Sequence, residues 1–393
     1  MRNKVLYLVG SMVSSFGDGI QQIAIIWYIY HLTGEALSIG FMIAIYYLPS
    51  IILTPFVSVY VDHHHSKKIV VTTNLLRFLI VMVIAFLILF KIESAWLVYF
   101  LQFVMAIGYT VYKPAEQSFI KESFKDRNIP FVISKSTSLN EGALIAGSAA
   151  AGVVLLKLSL FISFFINATT FFSAAVSFFF VLGVNEKLIK PKQVNYLYEL
   201  HLGWKYIYGT RGLRYLLFLS ILNSISIQMA TAIMLPLAKH FKGGSALYSL
   251  YDIAFAAGGI VSGLMAAWLL KKWKQRVLIL TMAGMAAVGV ILFLNRHAIP
   301  AGVLFFFLGW FTMLHLVVAQ TLIQLNTSRE FIGRVIGLRT ILASIVKITS
   351  ALLTGVFITK LGIFNVFILF SLVILFSFLS IKKLSNVEAP EIL

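Results

Sequence analysis

The chain is expected to be an all-α membrane protein with twelve transmembrane helices in two pseudo-symmetric groups of six. Three observations predict this. Of its 393 residues, 60% are hydrophobic and 12% charged, against about 45–50% apolar and about 25% charged in an average globular protein. Apolar stretches close to the ~20 residues that one membrane span needs recur from end to end. Basic residues crowd into alternate joints between them. The first observation excludes a soluble enzyme, because so little polar surface cannot coat a water-soluble body of this size. Cysteine is absent, which excludes disulfides, thiolate metal sites and a cysteine nucleophile.

The first apolar stretch, residues 5–31, follows Met1-Arg2-Asn3-Lys4. No small-x-small cleavage site follows and the run continues through Trp27, so a retained span is expected, not a signal peptide. The next stretches cover 38–61, 68–90, 95–118, 132–156 and 160–183. The joint after 61 contains His63-His64-His65, but consecutive loop histidines lack the spacing to converge on one ion, and no metal site is expected. The longest joint divides the chain into an N-terminal half (1–185), a cytoplasmic linker (186–213) and a C-terminal half with a short tail (214–393). Within the linker Leu197, Leu200, Trp204 and Ile207 recur at helical spacing, with Glu199 and Lys205 on other faces. That pattern predicts a short amphipathic helix on the inner membrane surface. Six further stretches follow at 214–236, 246–269, 277–294, 301–325, 335–358 and 363–381. Lys67-Lys68-Ile69-Val70 after the second stretch is echoed by Gln275-Arg276-Val277-Leu278 after the eighth, which supports two parallel halves, an arrangement one transporter class uses.

The net charge of +18 comes from 32 Lys+Arg against 14 Asp+Glu. With both termini cytoplasmic, 23 of the basic residues fall in inner joints and tails, 6 in outer ones, and Arg77, Lys113 and Lys347 within spans. The positive-inside rule selects that orientation. Loops pressed against anionic headgroups account for the excess, so no nucleic-acid partner is expected, and the location is the inner (plasma) membrane.

A charge inside a span costs about 2.5–3.5 kcal/mol on insertion scales and by default faces a cavity or a partner. Seven such residues stand out: Asp18, Arg77, Lys113, Glu116, Glu141, Asp252 and Lys347. Asp18 lies halfway along span 1, sharing a face with Ser14, Gln21 and Gln22. Desolvation favours the neutral form of a carboxyl group, and a carboxyl group that trades its proton is what proton coupling needs; Asp18 and Glu141 are the candidates. Span 11 carries Thr340, Ser344 and Lys347 along one stripe that lipid would not tolerate. Span 4 presents Gln102, Tyr109, Lys113 and Glu116, the last two near enough the inner end to snorkel. Spans 7 and 10 add Asn223, Gln228, His315, Gln320 and Gln324, neutral groups that also serve as interhelical glue. The expected substrate cavity is therefore lined by Gln21, Gln22, Tyr109, Lys113, Glu116, Asn223, Gln228, Gln320 and Lys347. Asp252 near the outer end of span 8 is expected at a gate, and Arg77 as the partner of an acid. No P-loop, HExxH or GxSxG pattern occurs, so neither catalytic residues nor a cofactor are expected.

The joint Ser58-Val59-Tyr60-Val61-Asp62-His63-His64-His65-Ser66-Lys67-Lys68 resembles the loop signature of the major facilitator superfamily, with Ser58 in place of its Gly and His63 in place of its Arg. Leu32-Thr33-Gly34 with Ala36-Leu37, Pro114-Ala115, Ile166-Asn167-Ala168 and Gly333-Arg334-Val335 with Gly337 resemble the macrolide-efflux and siderophore-exporter branch. The resemblance implies the major facilitator fold, a central cavity between two rocking halves, and proton-driven export of amphipathic small molecules (drug, antibiotic or secreted metabolite) by a monomer whose partners are substrate, protons and the bilayer. It also implies gating by Asp62 near Arg334, at the N-terminus of span 11, where the helix dipole favours an anion. His63 beside Asp62 makes that latch weaker or pH-sensitive. The antiporter pattern of span 5 is partial: Gly142, Gly147 and Gly152 are present and Ser148 occupies the proline position. Nutrient import or uniport, and lipid flipping, are alternative uses of the same fold.

Overall fold

The structure is a computed structural model that describes residues 2–125, 128–182, 196–273, 276–328 and 331–381. The side chains of some helical positions, Asp62, His63, Glu141 and Arg211 among them, lie outside the described part, as do most of the 186–213 joint before Tyr196 and the tail from 382. The described residues form thirteen α-helices and no strand. They group into two compact units, Met1–Gly34 with Ile45–Val194, and Glu35–Ala44 with Asn195–Leu393.

The first unit contains α1 (Arg2–Thr33), most of α2 (Ala36–His63), α3 (Ser66–Leu89), α4 (Ala95–Ser123), α5 (Ile129–Lys157) and α6 (Leu160–Phe179). Local signals place the ends. Gly34 has φ 71°, a left-handed conformation open to glycine without penalty, and it separates α1 from α2. The Ser94 and Ser159 hydroxyls accept from the Leu97 and Ile162 N–H groups at 3.4 and 3.2 Å, capping α4 and α6. The apolar run at 160–183 outlasts its helix. Asn3 donates to the Leu182 carbonyl at 2.8 Å and accepts from its N–H at 3.3 Å, so the start of α1 satisfies backbone groups that a longer α6 would have bonded internally.

α1 packs against α5 and α6, and α3 against α4 and α6. Gly19 lies directly against the Leu144 carbonyl and Gly147 against the Phe16 carbonyl, so α1 and α5 touch backbone to backbone, the close approach that small residues permit between membrane helices. Of the glycine series in α5, Gly147 is used in this way, whereas a Cβ on Gly142 would meet open space. One end of the unit is filled by Tyr7, Phe119, Phe124 and Phe178, with the Tyr7 ring 5.7–6.1 Å from the other three.

The second unit contains α7 (Tyr196–Gly209), α8 (Arg211–His240), α9 (Gly244–Trp273), α10 (Arg276–Leu294), α11 (Ala298–Leu325), α12 (Ile332–Leu361) and α13 (Ile363–Ile381). Here α9 packs on α11 through Gly258 against the Phe306 carbonyl and Gly309 against the Phe255 carbonyl. Residues 36–44 of α2 join this unit: a Cβ on Gly40 would lie 2.8 Å from the Ala351 carbonyl, and one on Gly355 2.7 Å from the Leu37 Cα. α7 is the helix expected from the linker pattern, and its stripe divides. Gly203 lies against Arg334 and Leu338 of α12 and Ile207 is 6% exposed, while Trp204 is 49% exposed. The Tyr206 ring stacks on Phe331 at 4.3 Å, and its hydroxyl accepts from the Ser328 N–H at 3.1 Å.

Among the described residues, nine helices are long and apolar enough to cross a membrane: α2, α3, α4, α6, α8, α9, α10, α11 and α12.

Candidate functional site

A polar stripe on α1 organises the first unit. Tyr7, Ser11, Ser14, Asp18 and Gln21 follow one another at steps of three and four residues, the spacing that keeps side chains on one helical face. Each meets a neighbouring helix. Toward the start of α1, the Tyr7 and Ser11 hydroxyls donate to Glu116 Oε1 of α4 at 3.4 and 2.9 Å, and Asn140 of α5 donates to the Ser11 Oγ at 2.7 Å. One turn on, Ser14 donates to Asn74 Oδ1 of α3 at 3.3 Å and accepts from Arg77 at 3.2 Å. The other Arg77 amino group forms an ion pair with Asp18. Beyond it Gln21 donates to Gln102 Oε1 of α4 at 3.3 Å and accepts from Asn167 of α6.

The ion pair is asymmetric in its exposure. The Arg77 side chain is 1% exposed and that of Asp18 24%, so the guanidinium is sealed in the protein while the carboxylate has an open side. Arg77 lies with its central carbon 3.9 Å from the Phe171 ring centroid and 5.5 and 5.8 Å from the Tyr112 and Tyr109 rings. Aromatic faces attract a cation most when it is desolvated, and together with Asp18 they replace the water that Arg77 lacks. The Tyr46 ring of α2 lies 5.6 Å from that of Tyr109. Lys113 is 46% exposed and its Nζ is 3.6 Å from Glu116 Oε2 and 5.4 Å from the Tyr109 ring.

Of the residues expected from sequence, the structure thus brings Asp18, Gln21, Arg77, Tyr109, Lys113 and Glu116 into one cluster, with half-buried Gln22 next along α1. Arg77 is, as expected, the partner of an acid. Glu116 is buried at 7% exposure and does not snorkel; Ser11 and Tyr7 hold it. In the second unit Asn223 and Gln228 are buried on α8, and Asp252, Gln320 and Lys347 are half-buried on α9, α11 and α12. Arg334 stacks 4.8 Å from the Phe331 ring. His315 is fully enclosed between the Thr281 hydroxyl at 2.9 Å and the Leu219 carbonyl at 3.3 Å. The side chains of Glu141 and Asp62 are outside the described part. Among the described residues no cluster of three or more His, Asp or Glu could hold a metal ion.

Sequence reasoning did not single out Tyr7, Ser11, Asn74, Asn140 or Phe171. Tyr7 and Ser11 carried a usable signal, since they extend the period of Ser14, Asp18 and Gln21 backward. Asn74, Asn140 and Phe171 carried none, because only packing brings them to the stripe.

The profile of the Major Facilitator Superfamily matches residues 7–215 and 216–391. The chain belongs to this superfamily. As a member it is a membrane transporter and not an enzyme. Macrolide efflux protein A of Streptococcus pyogenes is 23% identical over 369 residues, covering 92% of this chain and 90% of that protein. An uncharacterised superfamily transporter of Bacillus subtilis, YfiS, is 25% identical over 175 residues, 44% of this chain and 41% of that one. Among solved structures the nucleoside transporter NupG superposes with a TM-score of 0.82 at 10% identity, covering 99% of this chain and 100% of NupG. A bacterial homologue of the lysosomal transporter Spinster gives 0.79 at 8% identity, covering 98% and 96%. These structures share the superfamily fold with the present chain.

Proposed function

We propose that the protein is a proton-coupled exporter of amphipathic small molecules that works by alternating access. The observation that carries this reading is the carboxylate of Asp18, 24% exposed, midway along α1 and bound to a sealed arginine. A charged pair deep in an apolar helix marks a pathway, and a carboxylate with one side open is placed to trade its counter-charge for a proton or a substrate cation. Glu141, one helix away on α5, is the second candidate carrier. Likeness to a macrolide efflux protein along most of the chain favours export and makes a macrolide the first substrate to try.

In this reading twelve helices span the plasma membrane. Three join the nine already apolar enough: α1, whose hydropathy is lowered by its polar stripe, and α5 and α13, which contain the apolar pieces Gly142–Lys157 and Ile363–Phe376. α7 remains at the inner surface. Both termini are cytoplasmic, as the basic excess of the inner joints requires. Residues 1–185 and 214–393 are the two halves, 186–213 the linker, and the protein acts as a monomer. The substrate contacts are drawn from Gln21, Gln22, Tyr109, Lys113, Glu116, Asn223, Gln228, Gln320 and Lys347, with Asp62, Arg77, Asp252 and Arg334 controlling access.

The test is accumulation of a radiolabelled macrolide by everted membrane vesicles. Uptake driven by a proton gradient, abolished by a protonophore and lost in Asp18→Asn, is expected. Uptake indifferent to the gradient together with a fully active Asp18→Asn overturns the coupling. Counterflow without any pH gradient would instead indicate a uniporter.

A further inference from the structure

Asp18 and Glu116 differ in their partners: a sealed guanidinium for Asp18, two hydroxyls and a partly exposed ammonium for Glu116. Asp18 faces a guanidinium, a group that only donates and keeps its charge. Neutralising Asp18 would leave Arg77, 1% exposed, without a counter-charge inside the protein, a costly arrangement. Glu116 is also buried, but it accepts from the hydroxyls of Ser11 at 2.9 Å and Tyr7 at 3.4 Å. A hydroxyl both donates and accepts and turns to suit its partner, so the same pocket accommodates the carboxylate and the carboxylic acid. Asn140, which donates to Ser11, offers a neutral amide that reorganises in the same way.

From this contrast we infer that Glu116, with Tyr7 and Ser11, is an exchangeable proton site of the transporter, while Asp18 serves in this conformation as the counter-ion that holds Arg77. The inference rests on the proton-coupled reading above and names a further residue within it. Glu116, on α4, meets the α1 stripe that carries Asp18 through Tyr7 and Ser11, toward the start of α1, which is the cytoplasmic end in the proposed topology. The stripe continues from Ser11 to Ser14, and Ser14 accepts from Arg77, so the two carboxylates sit on one polar line. The other titratable or charged groups around Glu116 are Tyr7 and Asp18 on α1, and Lys113 and Tyr112 on its own helix; Arg77 on α3 is held by Asp18. On α5 the described groups that meet its two partners, Asn140 at Ser11 and Ser136 at Tyr7, are neutral. The Lys113 contact is long, and Lys113 is 46% exposed, so it is a screened pair of little strength. Loading adds one proton from water to a Glu116 carboxylate oxygen, and unloading returns it to water; no other bond is made or broken.

The experiment needs no substrate. The purified full chain in lipid nanodiscs is titrated with acid while infrared difference spectra follow the carbonyl stretch of protonated buried carboxyl groups. A titrating component present in the wild type and in Asp18→Asn, absent in Glu116→Gln and restored at a shifted pH in Glu116→Asp, is expected; the aspartate variant separates loss of the proton site from loss of the fold. A Glu116→Gln spectrum that keeps the wild-type component, with the component lost only in Asp18→Asn, overturns the assignment and leaves proton coupling through Asp18 standing. A wild type with no titrating buried carboxyl component overturns both.

Discussion

Arg77 is enclosed on every side while its ion-pair partner Asp18 keeps an open side, so the two halves of one salt bridge lie in different environments. Breaking a buried pair from one side typically costs about 3–5 kcal/mol because the remaining charge is left uncompensated.

Arg77→Ala is therefore expected to lower the thermal midpoint of the detergent-solubilised protein strongly, and Asp18→Asn to lower it as well, since the buried guanidinium is then stranded. The double variant Arg77→Met with Asp18→Asn is expected to be more stable than the sum of the single effects predicts, a coupling that a double-mutant cycle measures.

Phe171→Leu removes the ring that Arg77 lies on at 3.9 Å while keeping an apolar side chain in a buried site. A loss of about 1–3 kcal/mol is expected, from the cation–π contact and imperfect repacking. In an Arg77→Met background the cation–π part vanishes, so the same substitution should cost less, as read by denaturation midpoints.

Gly147→Ala places a methyl group against the Phe16 carbonyl, whereas Gly142→Ala projects into open space. The first should reduce expression and thermal midpoint by forcing α1 and α5 apart. The second should change stability by less than about 0.5 kcal/mol, as surface substitutions usually do. Equal effects of the two would contradict the packing.

Gln21→Leu leaves the amides of Gln102 and Asn167 without the partner they share. A cost of about 1–3 kcal/mol for each buried polar group left unsatisfied is expected. Replacing all three by apolar residues of similar shape should recover much of the loss, which thermal unfolding of the triple variant would show.

Gly203→Val pushes α7 from α12, because even a Cβ at this position would lie 2.9 Å from that of Arg334. Faster proteolytic cleavage in the linker is the expected outcome, with Tyr206→Phe, which removes only the hydrogen bond to Ser328, giving a smaller change.

Much of the architecture was legible because a membrane helix writes its own boundaries: the ends of the apolar stretches fall within five residues of the helix ends, and the glycines at 34 and 362 punctuate them. The paired acid and base were legible as types, since a charge in an apolar run demands an explanation wherever it occurs. Which acid Arg77 met was not, because the two helices that carry the pair are distant in sequence. Glu116 was misread as able to snorkel, since its position near the end of α4 is visible in the sequence and the hydroxyls of Tyr7 and Ser11 across from it are not. The linker helix was legible as a period, but not that Ile207 would be buried and Trp204 exposed.

The sequence by itself determined that this chain lives in a bilayer, where its helices begin and end, and which few polar residues run against the apolar grain, because hydropathy and charge are local properties summed along the chain. Only the tertiary structure decided that the start of α2 packs with the second unit through Gly40 and Gly355, that Arg77 chooses Asp18, and that Glu116 accepts from the hydroxyls of Tyr7 and Ser11. Those outcomes depend on which helix faces meet at what distance, and no stretch of sequence contains both sides of such a contact.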